Sequence, residues 1–421
     1  MNGAILAVGN ELVQGRVFNT NSFLAARELL LHGYEVREIL TVPDDLSLIE
    51  ARLRDFLSRY LFCLVSGGLG PTTDDITNEA VARALGKPLV TNEEMVRRIK
   101  ERERAQNLPH NPLRLRMAEL PEGARLLTNT RAMAGYYLEF EGKLLFCLPG
   151  VPQEFEYLLK KKVLPLLEEK LPAGVVVISR LYKIFGLREA DINLKLKDLE
   201  KMPEVTIGYY PVLPEIHVSV LVKASSKERA EEVFSQIDET IQAAFGPYIF
   251  GLEEDLLEAV IGRLLVERKE TLAVAESCTG GLIASRITRV PGSSAYFERG
   301  VVTYSNEAKK ELLGVPEEIL ATYGAVSEPV ALAMAEGVRR LSRTDYGLSV
   351  TGIAGPTGGT PEKPVGTVWI GFSCKEATVA RCFRFPGDRH LVQDYAAGTA
   401  LDWLRRYLHY GTLVPGYQFA C

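Results

Sequence analysis

Hydrophobic and polar positions follow a rhythm that changes twice along the chain. Up to about Leu166, short apolar runs alternate with helical spacings. Strands are expected at Ala4–Val8, Tyr34–Val42, Leu61–Val65 and Leu144–Leu148. Helices are expected at Thr20–Leu31, Leu46–Tyr60 and Asp75–Leu85, the last stopped by Gly86, and again from Gln153. In Thr20–Leu31, Thr20 or Asn21 caps the helix, and Phe23, Leu24, Leu29 and Leu30 form its apolar face. This βαβα order predicts a doubly wound α/β domain over residues 1–170, a parallel sheet with helices on both faces.

From about Pro172 the pattern reads strand Val175–Phe185, helix Glu189–Leu199, strands Val205–Tyr210 and Ile216–Val222, helix Lys227–Phe245 and strand Tyr248–Phe250. That predicts a small α+β domain, residues 171–251. A third, α/β domain over 252–414 starts with an amphipathic helix, Leu256–Lys269, and the buried strand Leu272–Ala275. Strand Gly300–Tyr304, helices Ala308–Leu313 and Pro329–Leu341, and strand Tyr346–Val350 follow. The strand pair Gly366–Ser373 and Thr378–Phe385 and a helix from near Asp388 close it.

Composition narrows the class. Of 421 residues, 47% are hydrophobic and 24% charged, which suits a soluble globular chain. No run reaches the ~18 apolar residues of a membrane span. The start, Met1–Gly9, lacks a basic leader and reads as a strand, so a cytoplasmic location is expected. Net charge is −5, and the basic cluster Arg97–Arg104 is interleaved with acids, the pattern of a solvated helix face. No nucleic-acid or membrane partner is expected. None of the six cysteines forms a C-x-x-C pair, and no histidine pair has metal-ligand spacing on a helix.

Two turns carry candidate chemistry. In the third domain, Glu276-Ser277-Cys278-Thr279-Gly280-Gly281 joins a strand to a helix. A helix start suits an activated hydroxyl and an oxyanion site, and equally a plain cap with glycines for close packing. Cys278 competes as nucleophile, because a helix N-terminus lowers a thiol pKa. No histidine lies near in sequence, so a lysine base is the alternative. Spacing alone reads Lys309 as a surface lysine. Thr351–Gly359 is a glycine-rich loop that could cradle phosphate. The guanidinium of Arg389 matches phosphate geometry, or sits on the surface of a first helical turn. In the first domain, Ser66-Gly67-Gly68-Leu69-Gly70-Pro71-Thr72-Thr73-Asp74-Asp75 lets backbone approach a phosphate. Asp74 and Asp75 suit magnesium or a helix dipole.

Glu276–Gly281, together with Gly300–Lys309, Gly324–Pro329, Thr351–Gly359 and Lys363–Val368, closely resembles the nicotinamide-mononucleotide deamidase domain of the competence-damage-inducible protein A (CinA) family, over Leu256–Trp403. The resemblance implies Ser277 as nucleophile, Lys309 as catalytic lysine and Tyr304 beside it. It implies Thr279, Gly280, Gly281, Gly352, Ile353, Ala354, Gly355 and Arg389 at the substrate, with water replacing the amide nitrogen and no cofactor. Lowering a lysine from a pKa of ~10.4 to ~7 costs about 4–5 kcal/mol, which burial or positive neighbours must supply. Many members of that family carry arginine where this chain has Gln393.

Val8–Leu12, Asn19–Asn21, Ser66–Asp75 and Leu148–Glu154 resemble the molybdopterin-binding (MoaB/MogA-type) fold of the same family, over Asn2–Leu166. The implied activity is ADP-ribose pyrophosphatase with a divalent metal such as magnesium, giving AMP and ribose 5-phosphate. Gly67, Gly68, Gly70 and Thr72 would meet substrate, and Asp74, Asp75 and Glu11 the metal. Members of that family usually have Gly-Thr-Ala-Pro-Gly at Arg131–Gly135 and commonly Thr-Glu-Leu at Asn10–Leu12. The partners so implied are small-molecule nucleotides and a second copy in a homodimer. The competing readings are a non-catalytic pterin- or nucleotide-binding module and a competence or DNA-damage accessory protein.

Overall fold

The computed structural model describes residues 1–107, 109, 111–127 and 135–421. Contacts gather the chain into two compact units, residues 1–178 with 223–230, and residues 179–222 with 231–421. Among the described residues no helix is long and apolar enough to cross a membrane.

The first unit is built on a six-stranded sheet ordered Glu35–Val42, Asn2–Val8, Phe62–Ser66, Lys143–Leu148, Tyr136–Phe140, Arg125–Leu126. The first four strands are parallel, and the last two turn antiparallel. Side chains in a strand alternate between faces, and the core divides accordingly. Ala4, Leu6, Val65 and Cys147 pack with residues of the helices Leu46–Arg59 and Thr77–Leu85. Ile5, Leu64 and Phe146 pack with residues of Thr20–Leu31 and of the helical stretch 152–170. The sheet is therefore doubly wound, as its sequence pattern predicts.

Two features depart from that pattern. The antiparallel strand Tyr136–Phe140 was not foreseen, although Glu141 (φ +48°) and Gly142 (φ +76°) form the positive-φ turn that suits a tight hairpin. The helix Thr20–Leu31 buries only half of the expected face: Leu29 is in the core and Leu24 packs against it, but the other two positions face outward. Phe23 is 71% exposed and Leu30 45%, while Asn21, Ser22, Ala25 and Leu29 are buried. The physical reason is polar: Asn21 Nδ2 donates to Ser66 Oγ and to Gly150 O, both at 3.0 Å. Asn19, rather than Thr20 or Asn21, caps the helix by accepting from Ser22 N.

A four-stranded sheet, most of it in the second unit, is ordered Val205–Val212, Glu215–Ala224, Val176–Phe185, Ile249–Leu252. The long helix Lys227–Phe245 buries Val233, Ile237, Ile241 and Phe245, one residue per turn. Phe185 and Phe250 of this segment join the apolar core of the following domain. That domain has a five-stranded sheet ordered Phe297–Val302, Leu272–Glu276, Tyr346–Gly352, Thr367–Ser373, Thr378–Arg384. The first three strands are parallel, the last two antiparallel. The helix Arg389–Tyr410 covers one face through Ala396, Ala400 and Leu404. The helix Glu328–Ser342 covers the other through Val330, Met334 and Val338.

Candidate active sites

The strand Leu272–Glu276 is buried end to end between its two parallel neighbours. Ligands in α/β sheets gather beyond the carboxyl ends of such strands, and three loops leave that edge together here. Ser277 N–H donates to Val350 O (2.9 Å), and Thr303 N–H donates to Glu276 O (2.8 Å). After Thr303 the chain turns into the helix Asn306–Leu313, whose cap Ser305 accepts from Ala308 N. The first turn of this helix returns Lys309 beneath the strand end.

Lys309 and Ser277, 32 positions apart, meet there with Nζ 3.1 Å from Oγ. Lys309 is 1% exposed and Ser277 8%. The Lys309 amine donates to Thr303 O (2.7 Å) and reaches Tyr304 O (3.5 Å), and it has no carboxylate partner among the described residues. Burial pulls its pKa below the ordinary lysine range; Cys278 opposes this weakly. Cys278 goes the other way: burial pushes its thiol up to about 12, which leaves it protonated at neutral pH. The lowering that a helix start gives a thiol is overridden by desolvation.

The glycine turn differs from the sequence expectation. Gly280 (φ +61°) and Gly281 (φ +97°) hold left-handed backbone. The helix that follows, Leu282–Thr288, has seven residues. Its leading amides are already engaged: Glu276 accepts from Gly281 N (3.0 Å), Ile283 N (3.1 Å) and Ala284 N (2.9 Å). Glu276 is 1% exposed. A carboxylate one residue before Ser277 thus occupies the donors that a helix start would offer a substrate. Donors without a protein partner, among the described residues, include the N–H groups of Cys278 and Thr279 and the buried Thr279 hydroxyl Oγ1.

Around this centre, Arg389 Nη1 donates to Gly355 O (2.9 Å) and Nη2 to Tyr304 Oη (3.1 Å). The Tyr304 ring is therefore turned to Arg389, and only its carbonyl faces Lys309. Gln393 Nε2 donates to Cys278 O (2.7 Å). In the loop Gly352–Gly355, Ile353 N–H is spent on Thr367 O (2.9 Å), and Gly366 N–H fixes Ile353 O (2.8 Å). Ala354 is 4% exposed. Sequence reasoning missed Glu276 and Thr303 as site residues; neither shows a signal beyond its place at a strand end.

The first unit holds a cavity of about 490 Å³ lined by Gly67, Gly68, Gly70, Glu11, Asp74 and Asp75, with Asn19 and Asn21 on its wall. The glycines are required. A Cβ on Gly67 (φ +103°) would stand 2.3 Å from Val8 O, and one on Gly68 (φ +69°) 2.2 Å from Thr77 Oγ1. The helix starts at Thr77, not at Asp75, so both aspartates lie in the turn before it. Thr72 is tied to Asp75, its N–H donating to Oδ2 at 2.8 Å and its hydroxyl to the same oxygen. The nearby Thr72 side chain and the backbone N–H of Asp74 itself hold Asp74 below the usual carboxylate range.

Asp44 also lines this cavity and was missed. Burial raises its pKa, Asn10 N–H (2.9 Å) lowers it, and the charges of Glu11, Asp74 and Asp75 raise it further. Four carboxylates thus repel one another around one cavity, a charge set that fits a divalent cation. No group of three side-chain ligands is preassembled among the described residues. Magnesium commonly takes one or two carboxylates and completes its shell with water and substrate phosphate. The donor set fits that mode. Arg131–Ala134 lie outside the described residues.

Comparison with known proteins follows the same division. Residues 254–408 match the CinA C-terminal domain, 4–169 a probable molybdopterin binding domain, and 179–251 the damage-inducible protein CinA KH domain. The chain is 43% identical over 406 residues to a CinA-like protein of Desulfotalea psychrophila, spanning 96% of this chain and 98% of that one. The chain belongs to the CinA family. A second CinA-like relative, from Syntrophus aciditrophicus, is 44% identical over 412 residues, 97% of this chain and 98% of its own. A solved CinA superfamily protein of Klebsiella pneumoniae is 36% identical and covers 36% of this chain and 95% of its own, with TM-score 0.35. A CinA protein of unknown function from Thermoplasma acidophilum is 37% identical over 40% of this chain and 98% of its own, with TM-score 0.37. The architecture is that of CinA: a MoaB/MogA-like domain, a small KH-like domain and the CinA domain, all mixed α/β.

Proposed function

We propose that the CinA domain is an amidohydrolase that converts nicotinamide mononucleotide and water to nicotinic acid mononucleotide and ammonia. The observation that carries this reading is the buried, carboxylate-free Lys309 amine 3.1 Å from Ser277 Oγ. A neutral amine has two N–H bonds and one lone pair. With the N–H bonds directed at Thr303 O and Tyr304 O, the lone pair is left for the Ser277 hydroxyl.

The chemistry follows from that geometry. Lys309 takes the Ser277 proton as Oγ attacks the amide carbon. The oxyanion is received by the free donors of Thr279. Collapse expels the amide nitrogen, which takes its proton from the Lys309 ammonium and leaves as ammonia. Water, deprotonated by Lys309, then cleaves the acyl-Ser277 ester and returns the serine hydroxyl. Arg389 supplies a planar fork for the substrate phosphate, exchanging its bond to Tyr304 Oη for phosphate oxygens. Purified protein should release ammonia from nicotinamide mononucleotide and Ser277→Ala should not; ammonia at the wild-type rate from Ser277→Ala overturns the reading.

For the first unit, we infer metal-dependent hydrolysis of ADP-ribose to AMP and ribose 5-phosphate. Gly67, Gly68 and Gly70 leave room for the pyrophosphate, and Asp44, Asp74, Asp75 and Glu11 would hold the cation. A divalent metal, when bound, neutralises the pyrophosphate oxygens. AMP release that depends on magnesium supports this; no AMP with any divalent metal supports a binding-only domain. The KH-like segment 179–251 contains no Gly-x-x-Gly, the loop by which KH domains clamp nucleic-acid backbone. That favours nucleotides over nucleic acid as ligands.

A further inference from the structure

Away from both sites, Cys382 and Cys421 are joined as a disulfide with Cα atoms 5.3 Å apart, a span of 39 residues. That separation lies within the range a disulfide requires. Cys382 belongs to the strand Thr378–Arg384, and exposed Cys421 gives its N–H to Cys382 O at 3.1 Å. The covalent ring so closed contains Arg389, Gln393 and the entire helix Arg389–Tyr410.

The segment after that helix folds back along it. Trp403 Nε1 donates to Leu413 O (2.8 Å), an Arg381 guanidinium nitrogen to Pro415 O (2.7 Å), and the Tyr417 hydroxyl to Asp402 (3.0 Å). Arg384 N–H donates to Phe419 O (2.9 Å). The Phe419 ring then lies 5.2 Å from Tyr395 and 6.1 Å from Phe385, which stack on each other at 5.5 Å. Phe385 precedes Arg389 by four residues, and Tyr395 follows Gln393 by two. Phe385 N–H donates to Gly366 O (2.9 Å), and Gly366 N–H to Ile353 O (2.8 Å). The tail is therefore connected, contact by contact, to the loop whose Gly355 carbonyl holds Arg389.

We propose that Cys382 and Cys421 form an oxidation-sensitive pair whose disulfide pins the tail 411–421 and, through Phe419, Phe385 and Tyr395, fixes Arg389 at the CinA-domain site. The co-reactant is a small-molecule disulfide. The exposed Cys421 thiolate attacks one of its sulfurs and releases one thiolate. Cys382 then attacks the Cys421 sulfur of the mixed disulfide and releases the second thiolate. Two protein thiols are oxidised, and one small disulfide is reduced to two thiols. The effect on substrate rests on reading Arg389 as the phosphate partner; the pairing itself does not.

The full-length protein should be equilibrated with oxidised glutathione, denatured, alkylated and mapped by mass. Cys382 and Cys421 are expected joined, and Cys63, Cys147, Cys278 and Cys374 alkylated. Reduction, or Cys421→Ser, should lower the Tm of the unit that carries the pair by about 5–10 °C. The same change should raise KM for nicotinamide mononucleotide severalfold while kcat stays within about twofold, the signature of lost binding rather than lost chemistry. Two results overturn the proposal: alkylation of both cysteines after oxidation, or a joined pair whose reduction moves neither Tm nor KM. Mapping and Tm answer for the pair; ammonia release by the wild type answers separately for the amidase reading.

Discussion

Gln393 reaches across 115 positions of sequence to place its amide N–H 2.7 Å from the carbonyl of Cys278. It thereby fixes the residue between Ser277 and Thr279 from the opposite side of the site. Gln393 is thus a strut on the nucleophile turn. Gln393→Ala should lower kcat roughly tenfold, the value of one hydrogen bond, with KM little changed. Steady-state kinetics separate this from a phosphate-binding role, which would raise KM and leave kcat intact.

Glu276 holds the same turn from below. Its carboxylate satisfies three backbone donors at 2.9–3.1 Å while 1% exposed. Removing it leaves buried amides without partners. Glu276→Ala should destabilise the unit by at least about 2 kcal/mol, read as a fall in the denaturant midpoint. Glu276→Gln, which keeps an acceptor oxygen, should fall between that variant and wild type. An unchanged midpoint for the alanine variant contradicts this role.

The pH dependence follows from Lys309. Its folded-state pKa lies below the ordinary lysine value because burial disfavours the ammonium. Activity should therefore rise with pH through that lowered pKa, as the base form appears, well before exposed lysines titrate. The stability sign is the same. Between the folded and unfolded pKa values the unfolded chain binds more protons, so stability rises with pH there and is lost as pH falls through the folded value. Lys309→Met should abolish turnover and be more stable than wild type below that window. A pH–rate profile together with melting curves at several pH values checks both.

How much of this was legible in the sequence varies by residue. The strand Leu272–Glu276 and the turn after it are legible because four apolar residues run directly into small polar ones. Placing Lys309 against Ser277 is not, since it needs the order of three parallel strands, which local spacing does not encode; only family resemblance supplied it. The face of Thr20–Leu31 was read correctly at Leu24 and Leu29 but not at Phe23, which is exposed while Asn21 is buried for its hydrogen bonds, an inversion no hydrophobic pattern reveals. Asp44 was missed because nothing in Pro43-Asp44-Asp45 distinguishes it from an ordinary carboxylate ahead of a helix. Asp45 does cap, accepting from Leu48 N at 2.8 Å, which leaves Asp44 to the cavity.

That cavity gives a further expectation. Asp44 is destabilised by burial and by three neighbouring carboxylates. Asp44→Asn relieves the repulsion, so the unit should melt at an equal or higher temperature without metal. The magnesium concentration for half-maximal AMP release should rise severalfold, because one anionic partner of the cation is gone. A magnesium titration unchanged from wild type counts against the assigned cation position.

The proposed reaction requires a covalent acyl intermediate on Ser277, with Lys309 as the base that generates it. Turnover of nicotinamide mononucleotide should be quenched in acid within a few catalytic cycles and the peptides mapped by mass. The expected result is a nicotinate-mononucleotide acyl adduct on Ser277 in the wild type and no adduct in Lys309→Met. An adduct on Cys278, or ammonia release with Ser277 unmodified at every quench time, would contradict it.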